Sequence, residues 1–363
     1  MNKYPCLEIN LSKLENNINQ IKKRCNESGV TIAGVIKGCT GILEVAKTFE
    51  KCGVSYIASS RIEQLEKVKN SGIKTPLMMI RIPSLSEVEE IVSICDISLN
   101  SEIEVLRLLN KEAKKQNKIH NVILMKDLGD LREGFFLEDD IVSASVLIEK
   151  ELNNLHLLGI GTNLGCYGAI SATTEKLNEL VECAEKIEEK IGRKLEIISG
   201  GATTSLPRII EGNMPSRINN LRVGEGILLA KDLKDLWGYD MSYMYQDVFK
   251  LKAEVIEVKD KPTHPIGEIM FDAFGSRPIY EDLGIRKRAL IALGKVDYAF
   301  IDDLIINEEN VSIVGASSDH TILDIEQATR DIKVGDVISF DLCYSTMVYV
   351  TNSNNIKKIF INS

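Results

Sequence analysis

Four short segments of this sequence carry side chains that could bind or activate a small molecule. Lys37 ends the run TIAGVIK after six uncharged residues. A barrel or sheet wall at that point would desolvate its amine, lower the pKa of the amine and leave it nucleophilic. The other interpretation is a lysine whose stem is buried while its ammonium reaches solvent at the rim.

The other three segments could bind anions. Arg132 lies in the charged segment KDLGDLREG and could hold a carboxylate through two parallel hydrogen bonds, although a solvated loop with internal ion pairs is also possible. The segments SGGATTS (199–205) and RVGEG (222–226) could offer backbone N–H groups and hydroxyls to a phosphate, although paired glycines also suit a tight turn. An amine opposite a phosphate site suggests a cofactor with both an aldehyde and a phosphate, such as pyridoxal 5′-phosphate.

The elements that must position these segments alternate regularly over the first 230 residues or so. Short apolar runs typical of buried parallel strands are separated by charged segments of helical period. Eight such units match the length of a (β/α)8 TIM barrel, whose active site lies at the carboxyl ends of the strands, whereas an open doubly wound sheet would carry fewer units. The predicted strands are Thr31–Lys37, Ser55–Ser60, Thr75–Ile80, Asp96–Asn100, Asn121–Leu128, Leu155–Asn163, Leu195–Gly200 and Asn220–Ala230.

The sequence pattern changes after Trp237. Runs rich in β-branched residues are separated by turns, and no long helical stretch is visible. The sequence therefore predicts an α/β protein with a (β/α)8 TIM barrel over residues 1–235, followed by a smaller β-rich C-terminal domain over residues 236–363. That second domain could also take in an N-terminal strand within residues 1–10.

Composition excludes several classes of protein. The 363 residues carry 44 Lys+Arg and 53 Asp+Glu, a net charge of −9, which disfavours binding to nucleic acid or to an anionic membrane. No apolar run is long enough to cross a bilayer, and the start lacks the apolar core of a secretion signal. Eight scattered cysteines without a C-x-x-C pair indicate reduced thiols and no zinc site. We therefore expect a cytoplasmic protein without a bound metal.

Taken as a set, the motifs resemble those of alanine racemase and its fold type III pyridoxal-phosphate relatives. The motifs are PCLEINLSKLENNI, GVIK ending at Lys37, GIGTNLG, SGGATTS, LRVGEG and VGASSDHTILDI, and together they span nearly the whole chain. GASSDH, LRVGEG and KDLGDLREG are most similar to the alanine/ornithine racemase branch. The resemblance implies pyridoxal 5′-phosphate as cofactor and interconversion of L- and D-ornithine, with the α-proton removed and returned by two bases.

The resemblance also implies roles for individual residues. Lys37 would form the Schiff base with the cofactor and act as one of the two bases. Arg222 would face the pyridine nitrogen, and Arg132 would hold the substrate carboxylate or a cofactor oxygen. The other implied cofactor-binding positions are Asn163, which stands where the family has a histidine, Thr203, the backbone N–H groups of Gly224 and Glu225, and Tyr344.

The second base is open, because the family's catalytic tyrosine aligns with Lys295 in the segment GKVD. Lys295, Asp319 and His320 are the candidates, and we expect them to come from a partner subunit in a homodimer with shared active sites. Lys295 could equally be a surface lysine, and His320 could serve only a turn. Ser318 and Asp319 are candidates for substrate binding, and the acids available for an ornithine ammonium are Glu225, Asp297 and Asp319.

Other activities also have to be weighed. A racemase of alanine, lysine or serine would carry the same motifs. A non-catalytic pyridoxal-phosphate homeostasis protein would lack the β-rich domain. A decarboxylase would be expected to place an acid where Arg222 stands, and a metal-assisted lyase would carry a His-x-Cys pair that this sequence lacks.

Overall fold

The computed structural model describes residues 3–362. The chain forms two compact units. One comprises residues 14–245, and the other combines the described residues up to Lys13 with those from Gln246 onward. Within the described range, no helix is both long enough and apolar enough to cross a membrane.

Eight parallel strands within residues 14–245 close into a barrel, which confirms the predicted fold class. Strand β1 (Cys6–Asn10) precedes them and belongs to the other unit. Each barrel strand pairs with the next along the chain, and the circle closes where the first pairs with the last, with Ile32 opposite Leu221. The barrel strands are β2 (Thr31–Val35), β3 (Tyr56–Ser59), β4 (Leu77–Met79), β5 (Ile97–Asn100), β6 (His120–Met125), β7 (Leu155–Gly161), β8 (Ile197–Ser199) and β9 (Asn220–Val223).

Amphipathic helices follow most of the strands. In the helix over Ile103–Lys115, the buried residues Val105, Leu106, Leu109 and Ala113 recur at the spacing of one helical face. The helices in this part of the chain are α1 (Leu11–Glu27), α2 (Leu43–Lys51), α3 (Ile62–Asn70), α4 (Val88–Ile94), α5 (Ile103–Lys115), α6 (Glu138–Glu151), α7 (Thr174–Ile191), α8 (Leu206–Ile210), α9 (Glu225–Leu228) and α10 (Asp232–Asp235).

The barrel strands share one apolar cluster. Residues two apart on a strand lie on the same face, and Ala33 with Val35, or Ile123 with Met125, are buried in this cluster. Each of the parallel strands from β2 to β8 contributes at least one residue to this cluster. The strands are thus held by packing, and the polar groups that follow their carboxyl ends lie at one end of the barrel.

The second unit is a mostly antiparallel sheet in the order β12-β15-β10-β11-β14-β13, and β1 pairs with β10 in antiparallel fashion and with β16 in parallel fashion. This confirms the β-rich C-terminal domain. The nine-residue helix α12 was not predicted, because its apolar sequence resembles a strand. The elements are β10 (Phe249–Pro262), β11 (Ile285–Ile291), α11 (Lys295–Tyr298), β12 (Leu304–Ile306), β13 (Ser312–Ala316), β14 (Thr321–Asp324), β15 (Val337–Leu342), α12 (Tyr344–Asn352) and β16 (Lys357–Ile361).

Several barrel strands end earlier than the sequence predicts. The predicted strand Asn220–Ala230 ends at Val223, and the remainder forms a turn at Gly224 and helix α9. Likewise, Lys37 is not the last residue of β2 but the first of a 3₁₀ turn. Both errors have one cause: a fully buried run is apolar on all sides, so its period does not distinguish a strand from a buried turn or helix.

Candidate active site

Lys37 lies directly beyond the carboxyl end of β2, in the 3₁₀ turn Lys37–Cys39. The turn is short and its neighbours Ile36, Gly38 and Cys39 are buried, so the lysine itself is only half exposed. Burial lowers the pKa of the Lys37 amine below its ordinary value. A less protonated amine at the end of a barrel strand can act as a nucleophile or as a base.

Arg222 lies near the end of β9 and is 4% exposed. Its Nη1 donates to Ser199 Oγ at the end of β8, and its Nη2 donates to the carbonyl oxygen of Thr162 after β7 at 2.6 Å. The guanidinium thus joins the ends of three neighbouring strands. Burial lowers the pKa of Arg222 to about 10, which still leaves it protonated at neutral pH.

Asn163 follows Thr162 in the chain and is half-buried. The preceding residue, Thr162, accepts a hydrogen bond from Arg222 through its carbonyl oxygen, and this bond holds the backbone next to Asn163. The structure therefore brings Asn163 to the same end of the barrel as Arg222.

Two loops pack together where the sequence suggested a phosphate site. Thr203 is buried in the 3₁₀ turn Thr203–Ser205, and its Oγ1 accepts the N–H of Gly226 at 3.0 Å. A Cβ on Gly226 would lie 3.0 Å from Thr203 Cγ2, so a glycine allows this close approach. The Thr203 hydroxyl retains its own hydrogen to donate, and the first N–H groups of α9, which begins at Glu225 after Gly224, have no partner within the helix. This donor set suits an anion.

The sequence named Glu225 as an acid available to a substrate but did not predict how its side chain is buried and bonded. Its Oε1 accepts the backbone N–H groups of Lys231 at 2.9 Å and Asp232 at 3.1 Å, while its buried Oε2 has no partner among the described residues. Burial, together with the nearby Asp232 carboxylate, raises the pKa of Glu225 to about 7. The side chain therefore folds back onto its own segment, and its carboxyl group changes protonation state near neutral pH.

The loop after β6 carries an internal ion pair. Arg132 donates through Nε to Glu133 Oε2, and through Nη2 to Glu133 Oε1 at 2.5 Å. Its Nη1 donates to Cys166 Sγ at 2.8 Å. The Arg132, Glu133, Cys166 and Arg222 groups all lie close enough to the Lys37 amine to shift its pKa. The structure thus brings Lys37, Arg132 and Arg222 close together and adds two further polar groups, Glu133 and Cys166.

Asp130 joins the loop after β6 to the loop after β7. It is 2% exposed, and its two carboxylate oxygens accept the N–H groups of Cys166 at 3.2 Å and Tyr167 at 3.0 Å. Burial alone would raise its pKa, but these bonds and others from the same loop hold the pKa of Asp130 below its ordinary value. At the base of the first loop, Lys126 Nζ donates to the carbonyl oxygens of Asp127, Phe135 and Phe136.

In the second unit, the other predicted residues meet at one hairpin. The N–H of Lys295, at the start of α11, donates to the carbonyl of Ser317 at 3.0 Å, and Ser317 begins the turn between β13 and β14. That turn contains Ser318, whose Oγ donates to Asp319 at 2.6 Å, and the exposed His320. Lys295, Ser318, Asp319 and His320 are therefore neighbours.

Two more residues of this unit bear on the predictions. Tyr344 is half-buried and begins α12. Asp297 is buried, and it accepts the Gly294 N–H at 3.4 Å and the Ser353 hydroxyl at 2.8 Å. These bonds fasten α11 to the residue after α12, so the Asp297 carboxylate is engaged within the fold.

Comparison with known families agrees with this geometry. Residues 9–231 match the family described as the alanine racemase N-terminal domain. The chain belongs to the alanine racemase family. The resemblance drawn from the sequence motifs is thereby confirmed.

Relatives of this family member cover almost its whole length. It is 42% identical over 355 residues to an ornithine racemase of Acetoanaerobium sticklandii, which covers 98% of this chain and 99% of the relative. It is 37% identical over 359 residues to a lysine racemase of Thermotoga maritima, which covers 98% of each.

Solved structures share the fold of this alanine racemase family member. An alanine racemase from a D-cycloserine-producing Streptomyces lavendulae superposes with a TM-score of 0.80 at 14% identity, covering 100% of this chain and 98% of the other. An alanine racemase of Clostridium difficile superposes with a TM-score of 0.76 at 22% identity, covering 100% and 97%. At such identities the likeness establishes the architecture of barrel and β-rich domain.

Proposed function

We propose that this chain is a pyridoxal 5′-phosphate-dependent amino-acid racemase that interconverts L- and D-ornithine. The observation that carries the proposal is the 42% identity to an ornithine racemase over nearly the full length of both chains. Lysine is the second candidate substrate, because a lysine racemase matches over a similar length at 37% identity. All eight cysteines are free thiols, which supports a reducing compartment such as the cytoplasm.

The residues at the barrel mouth fit the proposed cofactor. Lys37 offers a desolvated amine for the aldehyde, and the Thr203 hydroxyl with the N–H groups of Gly224 and Glu225 offers donors for the phosphate. Arg222 would donate to the ring nitrogen, and Asn163 and Tyr344 would add further contacts. When bound, pyridoxal phosphate takes up the charge left on the substrate Cα as the α-proton departs.

The protein side chains supply the proton transfers and the orientation. Lys37 would take the α-proton on one face, since burial favours its neutral form. Arg132 would hold the substrate carboxylate through its planar guanidinium. Arg222 would remain protonated and act only as a hydrogen-bond donor, because its pKa of about 10 stays well above neutral pH.

The base on the opposite face would come from the second unit of a partner subunit, in a homodimer with shared active sites. We place Lys295 first in this role, with Asp319 and His320 as the alternatives and Ser318 with Asp319 as substrate contacts. The clustering of these side chains at one hairpin supports the proposal, because a proton acceptor and polar contacts for a substrate would then arrive together.

Borohydride trapping tests the proposal. Protein incubated with pyridoxal phosphate is reduced and digested, and the Lys37 peptide is expected to carry the cofactor by mass spectrometry. Lys37→Ala should lose both this label and the conversion of L-ornithine, followed by optical rotation, whereas Lys47→Ala, an exposed lysine of α2, should keep both. A wild-type protein that leaves the rotation of L-ornithine unchanged would refute the activity, and a labelled Lys37→Ala protein would refute the role of Lys37.

A further inference from the structure

The charged side chains around Lys37 are mostly cationic. Arg132 and Arg222 both lower the pKa of the Lys37 amine, whereas Glu133 raises it, and Glu133 also acts on Arg222. Among the carboxylates of the described residues, Glu133 is the one that acts on both of these groups. Without Glu133, a substrate with a second ammonium would meet the two guanidinium groups of Arg132 and Arg222 and no carboxylate that acts on both Lys37 and Arg222.

Glu133 occupies the part of Arg132 that a substrate carboxylate would need. Its side chain is 19% exposed, and both of its oxygens are bonded to the guanidinium. A substrate carboxylate that binds Arg132 through the same Nε and Nη2 groups must displace Glu133. The displaced carboxylate loses both hydrogen bonds that it now accepts from Arg132, which disfavours binding unless the substrate brings a cation of its own.

Two other acids that could serve a substrate ammonium are already engaged. The Glu225 side chain accepts two backbone N–H groups through Oε1, and the pKa of this group is raised to about 7, so part of the population is neutral. Asp297 accepts one backbone N–H and one hydroxyl in its own unit. Asp319 is exposed and remains the rival to Glu133.

We propose that Glu133 is a specificity-determining residue, which releases Arg132 to the substrate carboxylate and takes the terminal ammonium of the substrate in exchange. The inference rests on the proposed racemase function and explains a substrate class, α-amino acids with a second, terminal ammonium. An amino acid with an apolar side chain breaks the same ion pair but offers no cation to pair with Glu133. Discrimination therefore arises largely from the unpaired carboxylate that the wrong substrate leaves behind.

L-Ornithine and L-norvaline test this exchange, because they have the same carbon chain and differ only in the terminal ammonium. We compare kcat/KM for racemisation of both substrates, and their dissociation constants by calorimetry, in the wild type and Glu133→Gln. The glutamine keeps the shape and removes the charge. The ornithine-to-norvaline ratio of kcat/KM is expected to fall by at least about 100-fold, with the norvaline value itself rising because Arg132 is no longer occupied by a carboxylate. Glu138 begins α6 and is paired with Lys186 of α7; Glu138→Gln is the matched control and should leave the ratio unchanged.

The outcomes separate this inference from the proposed function. Equal losses for both substrates in Glu133→Gln would mean that Glu133 only positions Arg132, and a ratio that falls in Asp319→Asn but not in Glu133→Gln would assign the ammonium to Asp319; either result overturns the exchange. If the wild type racemises neither substrate, the proposed activity fails, and the binding constants from calorimetry alone test the role of Glu133. Ornithine binding that is lost in Glu133→Gln then supports the exchange while the proposed activity fails, and binding that is unaltered overturns it.

Discussion

Lys37 and Glu225 are both ionisable groups that burial drives toward their neutral forms, whereas the buried Arg222 keeps its charge. The pKa of Lys37 is lowered, that of Glu225 is raised to about 7, and that of Arg222 falls only to about 10. The difference lies in the starting values, because a guanidinium begins so far above neutral pH that desolvation does not remove its proton. At neutral pH the barrel end therefore combines a permanent cation with a lysine whose protonated form is disfavoured and a carboxyl group that titrates near neutral pH.

The buried Glu225 carboxyl group makes stability depend on pH. In the unfolded chain it ionises near 4.5, and in the folded chain near 7. Between these values the folded state binds more protons, so the free energy of unfolding falls as the pH rises. Glu225→Gln removes this dependence and keeps an Oε1 acceptor for the two N–H groups. We expect the cofactor-free variant to be more stable than the wild type at pH 8, by at most about 3 kcal/mol, and equally stable at pH 4.

Urea unfolding at the two pH values measures this difference, with the exposed Glu151→Gln as the control. If the stability difference between variant and wild type is the same at pH 4 and pH 8, folding does not change the pKa of Glu225.

At the residue level, the sequence could predict a site residue where its position at the end of a predicted strand was enough to place it. Lys37 ends an apolar run, so the barrel rule places it at the carboxyl end of a strand, whereas Arg222 lay within the predicted strand Asn220–Ala230 and its role came from the resemblance. The contacts of Glu133 and Cys166 could not be predicted in this way, because they depend on how two loops meet in space. The adjacency of Glu133 to Arg132 was the one signal available, and it indicated an ion pair without indicating where that pair would lie.

The loops after β6 and β7 form one polar unit at the barrel end. Asp130 accepts N–H groups from the second loop, and a Cβ on Gly168 would lie only 2.7 Å from the Asp130 carbonyl oxygen, so the two backbones are in close contact. The same contact brings the Arg132 guanidinium to Cys166. We therefore expect Asp130 to position Arg132 for the proposed binding of the substrate carboxylate.

Asp130→Asn tests that role. The amide replaces one of the two acceptor oxygens with a donor, which faces backbone N–H groups and loosens the loop. We expect KM for L-ornithine to rise about 10-fold with a smaller change in kcat, together with faster amide hydrogen exchange over residues 166–170. Asp139→Asn, at an exposed position of α6, is the control. If neither amide hydrogen exchange nor KM changes, Asp130 does not position Arg132. A loss of kcat alone would mean that Asp130 has another role.

At the level of elements, periodicity predicted the eight strands of the barrel but not where each one stops. Asn220–Val223 continues into Gly224–Ala230 with no change in apolar character, yet the first part pairs with β2 and the second turns into α9. The change depends on Gly224, where the backbone leaves the strand. One glycine in an apolar run is compatible with a bulge, a turn or an uninterrupted strand, so the pattern could not distinguish them.

At the scale of the whole molecule, the second unit combines the two ends of the chain. Strand β1 pairs in antiparallel fashion with β10 and in parallel fashion with β16, with Leu7 opposite Leu251 and Lys358. Local patterns identify such strands but do not choose their partners, because pairing across this sequence separation is decided by packing. The unit that carries Lys295 and its hairpin is therefore completed by residues from the start of the sequence.

A shared active site makes a prediction that concerns the assembly itself. Lys37→Ala and Lys295→Ala would each lack one of the proposed bases, and both should be inactive alone. In a two-fold symmetric dimer whose sites combine Lys37 of one subunit with Lys295 of the other, a mixed dimer contains one site with both lysines and one site with neither. Random exchange of equal amounts should therefore restore about a quarter of the wild-type racemisation of L-ornithine. Replacing Lys295→Ala in the mixture by Asp319→Asn or His320→Asn tests the alternative bases in the same way. Activity that stays at the sum of the separate variants, when sedimentation shows that subunits have exchanged, would mean that each site is built within a single chain.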